Sequence, residues 1–151
     1  MKDKDMTLSE IIVYSNPDDL TRVCTICPSG ELSIEELISR HVTTPFIITT
    51  PSELPKEDCF YEAWSLIDGQ IVVNIHKAKD IVRQKIRKDR IPELTKLDVL
   101  YMRAIELGDA SKQLEIASQK QKLRDLPLHP KINELSIAEL SQVSLQKILS
   151  Y

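Results

Sequence analysis

Three glycines, at positions 30, 69 and 108, are all that this 151-residue chain contains, and their dispersal rules out a glycine-rich loop that could cradle a phosphate. Aromatic residues make up only 5%, so isoleucine, leucine and valine must supply the core. Three cysteines cannot all pair with one another, and with no sign of export they are expected to stay reduced, as in a cytoplasm. No apolar run approaches the roughly 18 to 20 residues of a membrane span, and the opening MKDKDMTLSE lacks the apolar centre of a secretory signal. A net charge of -3 and a pI near 5.6 provide no general attraction to nucleic acid or to an anionic membrane.

What is present is ordinary globular material: 42% hydrophobic and 28% charged residues, enough to bury a real core. Periodicity divides the chain into a flexible N-terminus at 1–9, a β-rich segment at 10–74, a helical hairpin at 75–130 and a capped C-terminal helix at 131–151. The expected class is α+β: a small antiparallel sheet with one short helix, then an antiparallel helical hairpin and a short C-terminal helix.

Ile11 to Tyr14 and Thr21 to Cys27 alternate as strands around the turn cluster Ser15-Asn16-Pro17-Asp18-Asp19. In LSIEEL, Ser33 is placed to cap a helix from Ile34 to about His41, with Glu36 returning a bond and Leu32 and Leu37 closing a hydrophobic staple. LSIAEL repeats the device with Ser136 and Glu139. Phe46 to Thr49 is a short strand, and Pro51 to Pro55 a loop or one helical turn. Asp68-Gly69 can adopt the positive φ angles of a two-residue hairpin, which would put Trp64 and Leu66 on one face with Ile71 and Val73.

A helix capped by Asn74 runs through Ala78, Val82 and Ile86, and Pro92 should break or kink it near Ile91, since a proline inside a helix costs about 3 kcal/mol. Leu94, Leu97, Tyr101, Ala104 and Ile105 then form one apolar stripe. Gly108 suits the left-handed position beyond a helix end and Asp109 the next N-cap, so the chain should reverse there. Equal helical rise on both sides pairs positions whose numbers sum to about 218. Asp98 thus faces Lys120, Tyr101 faces Ala117, Leu94 lies near Arg124, and Asp125 approaches Glu93 and Arg90. Asp98, Lys120, Arg124 and Asp125 are the expected ion-pair formers, fixing register more than stability.

Candidate chemistry is sparse. Cys24-Thr25-Ile26-Cys27 has the spacing of a redox pair or half a zinc site, yet it lies at a strand end with no following helix start, and His41, His76, His129 and Cys59 stand at no ligand spacing. The three histidines have no partner at a telling distance, so no catalytic residue, metal or cofactor is expected. KAKDIVRQKIRKDR is locally basic, with Arg83, Arg87 and Arg90 along one stripe, but Asp80 and Asp89 interrupt it and no aromatic is interleaved. A solvated face, or an arginine row facing an acidic partner, fits better than nucleic acid.

RKDRIPELTKLDVLYMRAIELGD, then IASQKQKLRDLP, matches a pattern R-x-x-R-x-P-x-L-x-x-L-D, M-R-A-x-E-x-G-D and K-Q-x-L-R-D through Arg87, Arg90, Pro92, Leu94, Leu97, Asp98, Met102, Arg103, Ala104, Glu106, Gly108, Asp109, Lys120, Gln121, Leu123, Arg124 and Asp125. Upstream, TPFIITTPSELPKEDCFYEAWSL follows P-y-x-I-x-x-x-x-x-L-P-x-D-x-x-F-x-x-A-W, with the aspartate and phenylalanine closer together between Cys59 and Trp64. From Ile11 to about Pro130 the chain thereby resembles a family of small proteins of tailed bacteriophages and prophages, labelled uncharacterised or tail assembly chaperone-like and encoded near tail or tail-fibre genes. The resemblance implies a non-enzymatic accessory that binds a phage tail or tail-fibre protein during assembly in the host bacterial cytoplasm, with self-association open; the suggested contact surface is the hydrophobic ridges of the hairpin with the row Arg83, Arg87 and Arg90, and Tyr101 as an anchor if it is exposed. The rival readings are a component of the mature tail, retained in the virion, and a metal or redox protein using Cys24 and Cys27.

Overall fold

A computed structural model describes residues 9–151; the expected flexible stretch 1–9 lies, apart from Ser9, outside them. The chain divides into two compact units, one ending at Asn74 and the other spanning Ile75–Tyr151. The class is α+β, with short antiparallel strands in the first unit and helices in the second.

In the first unit, β1 (Ile11–Ser15), β2 (Val23–Ile26) and β3 (Phe46–Thr49) form a sheet in the order β2-β1-β3. Both neighbours run antiparallel to β1, with Tyr14 opposite Cys24 on one side and Phe46 on the other. The β1–β2 connection extends to Arg22, because Asn16 and Asp19 spend side chains and backbone on it: Asn16 Oδ1 accepts from the Asp18 amide at 2.8 Å and the Arg22 amide reaches the Asp19 carbonyl at 3.0 Å. Helix α1 (Ile34–His41) starts as its sequence dictates, with Ser33 and Glu36 exchanging both bonds of a capping box.

A second sheet pairs β4 (Trp64–Ile67) with β5 (Gln70–Val73) across Asp68 and Gly69, whose φ angles of +50° and +74° are those of a two-residue hairpin loop. Trp64 faces Val73 and Leu66 faces Ile71. Alternation carries this wall into the core, where buried Trp64 joins Ile11, Val13 and Val23, and Ile47, Tyr61, Leu66, Ile71 and Val73 pack around it. Tyr61 meets the Trp64 ring edge-on at 5.2 Å. The strands form two sheets rather than the single expected one.

The second unit is built on α2 (Ile75–Glu106), 32 residues without interruption. The expected break at Pro92 is absent. Pro92 is exposed, and so is Lys88, whose carbonyl loses its partner; water can take that carbonyl, so the proline removes one bond without leaving a buried polar group. Helix α3 (Ala110–Asp125) packs back along α2. Gly108 has φ +65°, the Gly108 amide reaches the Ile105 carbonyl at 3.0 Å and the Asp109 amide that of Ala104 at 2.9 Å, the paired bonds of a Schellman stop. Asp109 then caps α3 by accepting from the Lys112 amide at 2.9 Å.

In place of one C-terminal helix there are three short ones, α4 (Lys131–Glu134), α5 (Ile137–Ser141) and α6 (Leu145–Leu149), behind a 3-10 turn at Leu126–Leu128. Ser136 with Glu139 and Ser144 with Lys147 cap α5 and α6. Each is too short to persist alone. They hold because Ile132, Leu135, Leu140, Val143, Leu145 and Ile148 are buried with Ala78, Val82 and Ile86 of α2 in the helical unit.

Candidate functional site: the two halves of the helical hairpin

The basic stripe of α2 is turned to a structural use. Lys79 donates to the Asn133 carbonyl at 2.9 Å, Arg83 to Asn133 Oδ1 at 2.7 Å, and Lys85 to the Val143 carbonyl at 3.0 Å. Arg90 donates to the carbonyls of Leu123 and Arg124, at 3.2 and 2.5 Å. The carbonyls of Asn133, Leu123 and Arg124 lie in the last turns of α4 and α3, where the last carbonyls of a helix have no internal partner and the helix dipole favours a cation, while Val143 lies between α5 and α6. Arg83 is also paired with Asp80 at 2.8 Å. Of the expected partner-facing row Arg83, Arg87 and Arg90, Arg83 and Arg90 thus make hydrogen bonds within their own unit, and Arg87 is half-buried.

Toward the reversal, Asp98 and Lys120 meet at 2.5 Å, at the positions the hairpin arithmetic pairs. Lys120 is the sheltered member, its side chain 17% exposed against 59% for Asp98. The same ammonium lies over the Tyr101 ring, 5.2 Å from its centre. Tyr101 is half-buried beneath it, so it is a packing partner of Lys120 and not an exposed anchor. Arg124 and Asp125 are exposed and, among the described residues, join no ion pair: Asp125 accepts from Gln121 at 2.9 Å, while Arg124 contributes its carbonyl to Arg90. Helical rise locates the pairs near the reversal well. At Arg124, some fifteen residues beyond, side-chain direction rather than rise decides who meets whom.

The apolar stripe also departs from expectation at its distal end. Leu94, Leu97 and Tyr101 are half-buried and Ala104 is buried, but Ile105 points outward. Around the closed end of the hairpin, Val99, Leu100, Met102, Ile105, Leu107 and Leu114 are between 43% and 82% exposed. Scattered surface leucines need no explanation; six large apolar side chains within sixteen residues form a concentration of the kind that marks contact sites. Periodicity did not point to it, because Val99, Leu100 and Met102 lie off the stripe of Leu94, Leu97, Tyr101 and Ala104 that turns toward α3.

Two clefts lie on the helical unit, one of about 430 Å³ lined by Lys122, Leu126, His129, Ile148 and Tyr151, the other of about 270 Å³ bordered by Leu97, Leu123, Leu145 and Leu149. Among the described residues no three His, Cys, Asp or Glu side chains gather as metal ligands. Cys24 is half-buried on β2, and Cys27 and Cys59 are exposed. Burial, reinforced by the adjacent Cys24 thiol, pushes the Tyr14 phenol above its ordinary value of 10.0. No helix among the described residues is long and apolar enough to cross a membrane. No family model, curated protein or solved structure matches this sequence.

Proposed function

We propose that this protein is a non-enzymatic accessory that binds a phage tail or tail-fibre protein during assembly, and that it does so with the closed end of its helical hairpin. One observation carries the reading of a binding protein: the exposed apolar side chains from Val99 to Leu114, which stay in water at a cost unless a partner covers them. The assignment to phage assembly rests on the resemblance of its hairpin and upstream segments to phage and prophage proteins. Arg83 and Arg90, bonded within the helical unit, support the scaffold that presents this end.

Tagged protein expressed together with the tail and fibre genes of a phage or prophage carrying it tests the reading. A tail or fibre protein should co-purify and should be lost when Leu107 and Leu114 are both changed to Asp. Retention of that partner by the double variant would remove the hairpin end from the account, and recovery of no tail or fibre protein would remove the assembly role.

A further inference from the structure

We propose that the outer edge of β3, in the first unit, takes up an extended, cationic segment of another protein as an added strand. The hydrogen-bond register fixes what this edge offers. The Ser15 amide donates to the Pro45 carbonyl at 3.0 Å, so along the antiparallel ladder the bonded pairs are Val13 with Ile47 and Ile11 with Thr49. Phe46 and Ile48, which alternate with them, turn both N–H and C=O away from β1. Among the described residues, β3 has no second strand beside it and no backbone bond from another segment reaches these groups. The opposite edge, at β2, is covered: Tyr61 donates to the Val23 carbonyl at 3.4 Å, and Ser65 to that of Thr21 at 2.6 Å.

The side chains agree with the backbone. Phe46 and Ile48 stand two residues apart and hence on one face of the strand, 43% and 46% exposed. β3 carries neither a charge nor a proline, the features by which natural edge strands are kept from pairing. Unpaired backbone groups at strand spacing beside apolar side chains are matched by an extended chain with apolar residues at alternate positions. Charge selects the kind of chain. Between Ser9 and Asn74, eleven Asp and Glu stand against three Lys and Arg, a net charge of -8, whereas from Ile75 onward ten stand against fifteen, a net of +5. Of the three cations, Arg22 is already paired with Glu62, and Arg40 lies with His41 in the last turn of α1. At the end of β3, Thr49 donates to Glu53 Oε2 at 2.8 Å, holding a carboxylate on the side of the strand opposite Phe46 and Ile48. A segment alternating apolar residues with Lys or Arg sets the former beside Phe46 and Ile48 and the latter toward Glu53, in a field that attracts it.

Backbone amide hydrogen exchange of the full chain, read by NMR with the synthetic peptide Lys-Val-Lys-Val-Lys-Val-Lys or its glutamate counterpart, tests the proposal. The lysine peptide should slow exchange at Phe46 and Ile48, leave Ile47, already bonded to β1, as it was, and bind more weakly as salt rises. The glutamate peptide should protect neither amide. Ile48→Pro deletes an outward donor without touching the β1 ladder, and should weaken binding of the lysine peptide about tenfold, the loss of one hydrogen bond. Should that variant lose its fold, Ile48→Lys keeps the backbone, repels the peptide and should weaken binding in the same way. No protection at Phe46 and Ile48, equal protection by the glutamate peptide, or undiminished binding in a folded Ile48 variant overturns the proposal. None of these results touches the co-purification test above, which reads the hairpin end alone.

Discussion

The two halves of α2 are made of similar material and meet opposite fates. Before Pro92, the helix carries most of its positive charge, yet its apolar face is buried through Ala78, Val82 and Ile86, and Lys79, Arg83, Lys85 and Arg90 are engaged with oxygens of α3, α4 and the α5–α6 segment. Beyond Pro92, the charges are mixed and the apolar side chains emerge into solvent. Charge density thus marks the part of the helix that is structurally occupied, and apolar exposure marks the part that is not. Backbone carbonyls at helix ends attract cations as surely as a partner would. A row of arginines on a helix is therefore ambiguous until the carbonyls around it have been accounted for.

The sharpest way to break this comparison is to truncate one large side chain in each half. Ile86 is 1% exposed, so Ile86→Ala should cost about 2–5 kcal/mol of unfolding free energy through lost burial and the cavity left behind. Leu114→Ala, in the exposed end, should move stability by no more than about 0.5 kcal/mol. Urea denaturation followed by circular dichroism measures both. Equal costs would mean that the hairpin end is packed after all.

Pro92 marks the border between the halves. If the helix passes through it only because the freed Lys88 carbonyl is wetted, then Pro92→Ala restores a hydrogen bond and should stabilise the protein by up to about 3 kcal/mol. A destabilised variant would show instead that the proline shapes the helix in a way the packing needs. The basic stripe follows. Arg90→Met keeps the aliphatic stem but leaves two carbonyls at the end of α3 without their donor, and should cost about 1–2 kcal/mol. The same denaturation experiment on Arg87→Met should show little change, and equal losses would indicate that stem packing, rather than carbonyl capping, is what the arginines supply.

Several features of this molecule were legible in its sequence because their causes are local. Ser33 with Glu36, Ser136 with Glu139, Asp68 with Gly69, and Gly108 with Asp109 each announce a backbone event whose bonds close within a few residues. Even the Asp98–Lys120 contact follows from a local stop plus a constant rise per residue. The destinations of Lys79, Arg83, Lys85 and Arg90 were not legible, because their acceptors lie 33 to 58 positions away and belong partly to helices of four or five residues, too short for periodicity to register. The passage of α2 through Pro92 was hidden for a related reason: the cost depends on whether the Lys88 carbonyl faces water, which only the packed structure decides. Gly108, Asp109, Asp98 and Arg90, among the residues on which a phage family was expected, all have scaffold roles in the hairpin. That pattern therefore bears more directly on how the hairpin is held than on what it holds.

Two smaller changes at the hairpin refine the picture of its exposed end. Gly108→Ala places a Cβ where nothing lies within 4 Å, so the φ of +65° is the only obstacle, and the expected loss is about 1 kcal/mol. Asp98→Asn is expected to have the smallest effect. With Asp98 59% exposed and Lys120 17%, solvent screens one member and shelters the other, so the pair should contribute less than about 1 kcal/mol. Its contribution should fall further as salt rises, since exposed charges are screened within about 8 Å at physiological ionic strength. Register is the better readout of its purpose: a cysteine pair introduced across α2 and α3 on a cysteine-free background would report by disulfide trapping whether the Asn variant lets the helices slip by a turn. Trapping at only the wild-type spacing would assign the alignment to Gly108, Asp109 and the buried seam at Ala104 and Ile116, with the ion pair following from that alignment rather than setting it.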